Sequence, residues 1–393
     1  MRQTNTYLWY LDRLDEMSWA STANDGTYDM CPEAGNTTAY MIDMPVWRGH
    51  SSVSPRVTLS VDCADNAGCS ESRGDPAQNC IDSPVYGGSP LYGALNHGTA
   101  IASLLTGSFT GAARPEVIAL SVYPCNLQPK TQATWMYNAV NWIWAHVSSR
   151  RAAGVDRLSV VNHSGYVLPW DGYVDTYAQI VKRLVQEVGL PFFTSADNFG
   201  TDSCRFSPNK NAYTPINRTW DQTVFVVGHT TMNGSTDVVW QNPSPTRPDD
   251  RGSNLGNCVS AFAPGVSIYA AANGNPSGPL NANHYRTWEP GSSFSSPLVA
   301  GVALRWMDRF RETNGYRPAF TLVYEELLAM GQPRASVSSA WSAGYTACYS
   351  NFDPGVFFTQ TNSTCPGNHT AYTFPGIGNT SGARMVFSNM SCP

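Results

Sequence analysis

Short apolar runs alternate along this chain with longer segments whose apolar residues recur every three to four positions. The runs are typical of buried strands, and the longer periodic segments are typical of helices packed on a core. Because the two kinds of element alternate, we predict an α/β fold with a mainly parallel central sheet flanked by helices on both faces. The predicted strands are 39–43, 57–61, 116–123, 158–161, 191–194 and 223–227, and the predicted helices are 135–147, 173–188 and 298–307.

Composition narrows the class of protein. The 393 residues are 42% hydrophobic and only 13% charged, which favours a folded chain with a sizeable core. The net charge of −5 and the lack of a basic patch argue against nucleic-acid binding, and no apolar run has the length of a membrane span. We therefore predict a protein that binds neither nucleic acid nor membrane, and we expect a monomer.

Cysteine and glycosylation patterns indicate the secretory route. Ten cysteines favour an oxidising compartment, and no Cys-x-x-Cys pair indicates zinc. Eight Asn-x-Ser/Thr sequons predict a secreted glycoprotein, although Asn162 lies in a predicted strand and is expected to be unmodified. The sequons are Asn36, Asn162, Asn217, Asn233, Asn362, Asn368, Asn379 and Asn389. The first residues are too polar for a secretion signal, so the numbering is expected to start near a mature terminus.

Two polar insertions and a C-terminal region depart from the alternating pattern. Residues 62–90 hold three cysteines, and a loop of that length is expected to be functional or disulfide-stapled. Residues 233–254 form a second insertion that is rich in Pro and Asp. After about residue 335 the chain becomes loop-like. We predict a catalytic domain over 1–334 and a disulfide-tied, glycosylated extension over 335–393.

A serine-rich segment carries the first candidate chemistry. Ser293 lies between glycine and small residues, directly before the apolar run 298–307. This pattern predicts a serine at a helix N-terminus, where free N–H groups and the helix dipole favour developing negative charge. Pro297 is expected in the first turn, where a missing N–H costs nothing. By itself the segment is more typical of a serine-rich loop that caps a core helix.

Two further residues complete a recognisable chain order. His97 precedes small residues and an apolar helix-like stretch, and Asp43 ends a short apolar strand. Each alone is more typical of a structural histidine or a turn. A carboxylate at the end of a parallel strand points into the crevice where open α/β sheets hold their sites. Asp43, His97 and Ser293 follow one of the chain orders of a Ser-His-Asp triad.

At these residues the chain resembles the subtilase family of serine proteases, and its proteinase K-like branch in particular. Segment 291–297 resembles the family's Gly-Thr-Ser-Met-Ala-x-Pro, and segment 96–102 its Gly-His-Gly-Thr-x-Val-Ala. Segment 40–43 resembles the strand that ends in the catalytic aspartate, and segment 195–198 the family's Ala-Ala-Gly-Asn. The resemblance implies a three-layer subtilisin-like fold and a secreted serine endopeptidase that acts through an acyl-enzyme.

The resemblance also implies roles for single residues. His97 would be the general base, Asp43 would orient its ring, and Asn198 would hold the oxyanion together with the Ser293 N–H. Ser164 and Gly165 fall in the edge segment that pairs with an extended protein or peptide substrate. Cys204 with Cys258 resembles a bridge of the family, and Cys31 with Cys125 is a weaker match.

No cofactor is expected to be required. Structural calcium is possible, because many relatives bind it, but Thr231 stands where the usual aspartate ligand would be. Asp62, Asp65 and Asp75 offer oxygen ligands in the first insertion, although solvated loop carboxylates are the more ordinary interpretation.

Three departures leave alternatives open. Met44 and Pro45 follow the candidate aspartate, and Pro45 has no N–H to donate to its carboxylate. Asp197 replaces the glycine before Asn198, where a carboxylate would either favour basic substrate residues or narrow the pocket. His163 and Tyr166 are bulkier than the family pattern.

The alternative function is a catalytically silent subtilase-fold glycoprotein that acts as a binding or effector protein. An α/β-hydrolase esterase is disfavoured, because Ser295 occupies the final position of a Gly-x-Ser-x-Gly elbow.

Overall fold

The computed structural model describes residues 2–4, 8–15, 27–72, 74–82, 92–124, 131–167, 175–214, 222–233, 236–239, 252–273, 280–330, 332–333, 345–350, 357–360, 369–374 and 384–385. The strands are β1 Arg2–Thr4, β2 Thr27–Asp29, β3 Thr37–Asp43, β4 Val57–Asp62, β5 Glu116–Ser121, β6 Leu158–His163, β7 Phe192–Ser195, β8 Val224–Asn233, β9 Thr236–Val239, β10 Ala261–Pro264, β11 Tyr269–Ala271, β12 Tyr285–Thr287, β13 Gln332–Pro333, β14 Tyr345–Ser350, β15 Phe357–Gln360, β16 His369–Phe374 and β17 Arg384–Met385. The helices are α1 Trp9–Asp15, α2 Pro76–Asp82, α3 Tyr92–Thr106, α4 Ala133–Ala152, α5 Thr176–Arg183, α6 Ser292–Asn314 and α7 Phe320–Met330. Among these residues, no helix combines the length and the apolar composition that crossing a bilayer requires.

The central sheet contains seven parallel strands in the order β10-β8-β7-β6-β3-β5-β4. Helices cover both faces, so the α/β prediction of a mainly parallel sheet flanked by helices is confirmed. Side chains alternate along each strand, and β3 shows the result: Ala39 and Met41 join the core under α3 and α6, whereas Tyr40 and Ile42 join the core under α4 and α5. By the same alternation, Asp43 is on the α3 and α6 face.

The predicted helices agree with the structure in position but not always in length. The helix predicted over 135–147 runs over Ala133–Ala152, because its polar last turn, with Arg150 and Arg151, complements the helix dipole. α5 continues as a π-helical segment, Leu184–Val188, and ends at Gly189 in the left-handed conformation, where the sequence predicted the end.

Both insertions and the C-terminal region contain ordered elements. Cys63 and Cys69 form a disulfide in the first insertion, which confirms the predicted stapling. In the second insertion, β9 pairs antiparallel with β8. The expectation that the chain is loop-like after residue 335 is wrong: β14, β15 and β16 form an antiparallel sheet, as their β-favouring Tyr, Thr and Phe residues allow. β17 extends the central sheet beside β10.

A fully buried arginine ties α6 to the N-terminal region. Arg305 donates to the carbonyls of Asp29, Cys31 and Pro32 at 2.7, 3.1 and 3.1 Å and to the Tyr28 hydroxyl at 2.6 Å. Arg305 is 0% exposed, so its guanidinium has no water to replace these acceptors. The arginine therefore anchors the helix that begins at the candidate serine.

Arg305→Met is expected to lower the free energy of unfolding by roughly 3 kcal/mol or more, because it removes four hydrogen bonds that a buried guanidinium donates to the N-terminal region. Urea unfolding followed by tryptophan fluorescence measures the change. Arg309→Met on the exposed side of the same helix is the matched control, with an expected change of about 0.5 kcal/mol or less. Equal losses in the two variants would contradict an anchoring role.

Candidate active site

The carboxyl end of β3 and the start of α3 bring a carboxylate and an imidazole together. His97 Nδ1 and Asp43 Oδ1 are 2.7 Å apart, and the Asp43 side chain is 1% exposed against 23% for His97. Burial alone would lower the pKa of His97, but the charge and hydrogen bond of Asp43 outweigh it and raise that pKa above its usual value. The ring is thus held by a buried carboxylate while one edge stays accessible.

Gly98 is required beside this pair because the backbone is close. A Cβ at Gly98 would lie 2.2 Å from the carbonyl oxygen of Met44 and 2.7 Å from that of Pro45. Any larger residue would push α3 away from the end of β3. This explains why a glycine follows the candidate base.

The Asp43 carboxylate is only partly satisfied. Met44 donates its backbone N–H to Oδ1 at 2.6 Å. Oδ2 is buried and has no hydrogen-bond partner among the described residues. Pro45 has no N–H to offer, so the sequence departure at this position corresponds to an unpaired carboxylate oxygen in the structure.

Ser293 lies in the first turn of α6, as predicted, with Gly291 before it in an extended conformation. The rings of His97 and Phe294 are 5.9 Å apart between centroids, so the histidine ring packs against this turn. Ser293 Oγ makes no hydrogen bond to the His97 ring within the described part of the chain. Such contacts are commonly loose in a free enzyme and tighten when substrate binds.

Pro297 corrects one detail of the prediction. It is the sixth residue of α6 and lies beyond the first turn. In a regular helix its N–H would bond to the carbonyl of Ser293, and proline lacks it. Ser164 supplies the missing donor, with its hydroxyl 3.0 Å from that carbonyl. The proline therefore allows Ser164, directly after β6, to hydrogen-bond to the helix at the candidate nucleophile.

Two buried hydrogen bonds support Ser164. The Asn162 side-chain amide donates to the Ser164 hydroxyl at 3.1 Å and accepts from the Ser296 hydroxyl at 2.8 Å. Asn162 is 0% exposed, in agreement with the expectation that its sequon is unmodified, whereas Asn36 is exposed. The other six sequons lie outside the residues whose side chains are described. Sequence reasoning missed Asn162 and Ser296 as supports, and only the spatial neighbourhood identifies them.

Asn198 is oriented by the residue before the candidate nucleophile. The backbone N–H and the hydroxyl of Ser292 both donate to Asn198 Oδ1, at 2.8 and 3.0 Å. Because an N–H can only donate, the carbonyl end of the amide must face Ser292. Nδ2, at the opposite end of the amide, is therefore a donor available next to α6. It lies 3.6 Å from the position that a Cβ on Gly291 would occupy. No sequence signal indicated Ser292 in this role.

The remaining predicted residues are near the same strand ends. Gly165 follows Ser164 after β6, and Asp197 follows β7 directly before Asn198. Burial raises the pKa of Asp197 well above its usual value, although a hydrogen bond from Ser195 acts in the opposite direction. His163, predicted beside the cleft, instead lies in the core against Tyr177 and Phe192. Side chains alternate along β6, and His163 faces the same side as Val161, toward α4 and α5.

A second disulfide was also predicted. Cys204 and Cys258 form a bridge, which confirms the pairing implied by the resemblance. Cys31 is disulfide-bonded, but Cys125, its expected partner, lies outside the described residues.

The carboxylates considered for calcium do not fit a shared site. Asp62, Asp65 and Asp75 each accept a backbone N–H two residues further on, at 2.8–2.9 Å, which is ordinary turn capping. Among the described residues, no group of three His, Cys, Asp or Glu side chains converges as metal ligands would. Thr231, at the usual ligand position, pairs with Val238 in the hairpin.

The sequence of this chain is similar to those of known proteases. Residues 42–322 match the subtilase family. The chain is 27% identical over 307 residues to "Alkaline serine exoprotease A" of Vibrio alginolyticus, covering 78% of this chain and 44% of that protein. It is 23% identical over 341 residues to "Proprotein convertase subtilisin/kexin type 9" of Rattus norvegicus, covering 85% of this chain and 40% of that protein. The chain thus spans less than half the length of these curated relatives.

The fold is similar to a solved structure described as "Crystal structure of a cold adapted subtilisin-like serine proteinase". The TM-score is 0.59 at 20% identity, with 98% of both chains covered. At this identity the likeness concerns the fold alone, and the family assignment comes from the sequence match. Because that match covers well over half of the residues, the chain belongs to the subtilase family of serine peptidases.

Proposed function

We propose that this chain is a secreted serine endopeptidase of the proteinase K-like branch, with Asp43, His97 and Ser293 as its catalytic triad. The supporting observation is the 2.7 Å contact between His97 Nδ1 and the buried Asp43, beside the first turn of the helix that presents Ser293. The contact leaves the Nε2 edge of the ring directed away from the carboxylate, as a base for a serine hydroxyl requires.

Peptide-bond hydrolysis would proceed in two halves. His97 Nε2 removes the Ser293 hydroxyl proton as Oγ bonds to the substrate carbonyl carbon. The protonated ring then gives that proton to the leaving amine as the carbon–nitrogen bond breaks, which leaves an acyl-enzyme. Water, deprotonated by the same ring, cleaves the ester and regenerates Ser293. Asp43 stabilises the imidazolium in both halves.

Negative charge on the substrate oxygen would be held by two donors. The Ser293 N–H is one of the first four in α6, which have no acceptor within the helix. Asn198 Nδ2 is the second, aimed by the bonds from Ser292 to Oδ1. Both donors are in place before the reaction, so little reorganisation is needed as the charge develops.

Asn198→Ala is expected to lower kcat by roughly 10²–10³-fold with a small change in KM, because this donor acts mainly on the transition state. Asn198→Asp is the informative second variant. It keeps an acceptor for Ser292 but cannot donate in its ionised form, and its activity is expected to fall at least as far. Peptide kinetics at neutral pH measure both, and wild-type activity in the Asp variant would contradict the role.

The proposal also includes the substrate class, the location, the oligomeric state and the domain organisation. The substrate is a protein or peptide, and Ser164 and Gly165 border the path of its extended chain. The enzyme acts outside the cell as a monomer, requires no cofactor, and combines a catalytic domain over 1–334 with a glycosylated extension over 335–393. The paired cysteines and the exposed Asn36 sequon support the extracellular location.

A fluorophosphonate that reacts only with activated serines tests the assignment. The folded protein is expected to hydrolyse casein, to lose that activity on labelling, and to carry the label on Ser293 in a peptide map. Urea-unfolded protein is the control and is expected to take no label. Label on another serine would overturn the proposal.

One observation favours the silent alternative, a binding or effector glycoprotein with the same fold. Asp43 Oδ2 is buried without a partner, which reduces the support that the carboxylate gives to the ring. Under that alternative the folded protein would be inert toward both casein and the phosphonate. The same labelling experiment therefore separates the two functions.

A further inference from the structure

Two chain segments flank the position of the substrate carbonyl. Segment 164–167 follows β6 and holds the Ser293 carbonyl through Ser164. Segment 196–199 follows β7 and carries Asn198. β6 and β7 are neighbours, with His163 paired to Thr194, so the two segments leave the sheet side by side. Under the proposed function, the side chain of the substrate residue whose carbonyl is attacked would enter the gap between them.

That gap is bridged by direct contacts. The Thr194 hydroxyl lies 3.5 Å from the carbonyl oxygen of Gly165. Further out, Val167 and Ser207 exchange two backbone hydrogen bonds, at 3.0 and 2.9 Å. These contacts hold segment 164–167 against the chain that follows β7. A deep pocket would require these two parts of the chain to be separated.

Aromatic rings fill the outer part of the gap. The Tyr166 ring meets the rings of Phe199 and Phe206 edge-on, with centroids 5.4 and 5.2 Å apart. Phe199 and Phe206 stack on each other at 5.4 Å. Tyr166 comes from one flanking segment and Phe199 from the other, so their contact closes the gap from both sides.

Asp197 lies in segment 196–199, directly before Asn198. It is 5% exposed, and its Oδ2 is buried with no hydrogen-bond partner among the described residues. Its φ of +73° is in the left-handed region, where glycine is unstrained and a side chain is not. A strained, buried and half-paired carboxyl group is costly to keep, and such features concentrate at functional sites.

Tyr123 packs against the first of the two segments. Its hydroxyl is 3.6 Å from the position that a Cβ on Gly165 would occupy. Burial first, and then the charges of Asp43 and Asp197, raise the pKa of Tyr123. A further bulky ring therefore lies beside segment 164–167.

We infer that Asp197 and Tyr166 are specificity-determining residues that restrict the attacked substrate residue to a small side chain: glycine, alanine or serine. This inference rests on the proposed endopeptidase function. Asp197 acts here by its volume. A buried oxygen that no water reaches leaves no room for the long chain of lysine or arginine.

A peptide library that varies only the attacked residue tests the inference with three proteins. The parent is expected to cleave after small residues at least about tenfold faster, in kcat/KM, than after leucine, phenylalanine or arginine. Asp197→Gly opens the gap and relieves the left-handed strain, so it is expected to fold and to gain about tenfold or more on leucine and phenylalanine. Asp197→Asn keeps the volume and removes the acid, and its preference is expected to match that of the parent.

Tyr166→Ala provides an independent variant and is expected to broaden the preference in the same direction. A parent that prefers lysine or arginine, with the preference lost in Asp197→Asn, would show that the charge decides and would overturn the inference. A parent that prefers large apolar residues would overturn it as well. Both outcomes leave the endopeptidase function intact, whereas a parent that cleaves no peptide and takes no phosphonate label removes the function and the inference together.

Discussion

Ser293→Ala is expected to lower kcat by roughly 10⁶-fold while leaving the fold intact. The variant removes the only atom that can form the acyl-enzyme, and the ring of His97 then has no hydroxyl to deprotonate. The residual rate would come from Asn198 and the helix N–H groups, which still stabilise the oxyanion. Casein and peptide assays measure the loss, and circular dichroism verifies the fold.

Ser295→Ala is the matched control two residues further along α6. Its hydroxyl donates to the carbonyls of Ala263 and Pro264, away from the reacting atoms, so kcat is expected to stay within a few-fold of the parent. Comparable losses in both variants would indicate a disturbed helix rather than a missing nucleophile. Full activity of Ser293→Ala would exclude the acyl-enzyme mechanism.

Acid is expected to destabilise the protein through two buried histidines. Burial lowers the pKa of both His163 and His229 to about 3, so the folded state keeps these rings neutral. The unfolded chain binds a proton on each as the pH falls below about 6.5. Stability is therefore lost from that pH downward until about pH 3, and each ring costs about 2 kcal/mol by pH 5.

His229→Leu isolates one of these contributions. Both ring nitrogens of His229 are buried and have no hydrogen-bond partner in the described part of the chain, so an apolar replacement breaks no hydrogen bond of the ring. Urea unfolding of parent and variant at pH 7 and pH 5 is expected to show that the variant loses about 2 kcal/mol less on acidification. Asp197, whose pKa burial raises, titrates in both proteins and cancels in the difference. Equal acid sensitivity of the two proteins would contradict the assignment.

The fold class could be read from the chain because its signals are local. A buried parallel strand is a short apolar run, and a covering helix shows apolar residues at a spacing of three to four. Helix ends were less certain. Gly189 marked one end correctly because a left-handed residue ends a helix. Ala152 was missed because the polar residues 148–151 look like a loop, although they form a half-buried last turn of the helix.

The C-terminal strands were missed for a different reason. Strand propensity is weak evidence until a partner strand is known, and the pairing of β14 with β16 joins residues 19 to 29 positions apart. Similarly, nothing local indicates that Met385 pairs with Phe262 at the edge of the central sheet. Long-range pairing of this kind is decided by the whole fold.

The candidate site shows the same difference between local sequence signals and long-range contacts. The sequence by itself determined the α/β class, the family resemblance, and the residue types Asp43, His97, Asn198 and Ser293 in their order, because strand ends, helix starts and motifs are local features. Only the tertiary structure decided that Ser164 replaces the N–H absent at Pro297, that Ser292 orients Asn198, and that Tyr166 meets Phe199 across the gap. Those contacts join residues that are far apart in the chain, and their geometry depends on how neighbouring strands and α6 pack against one another.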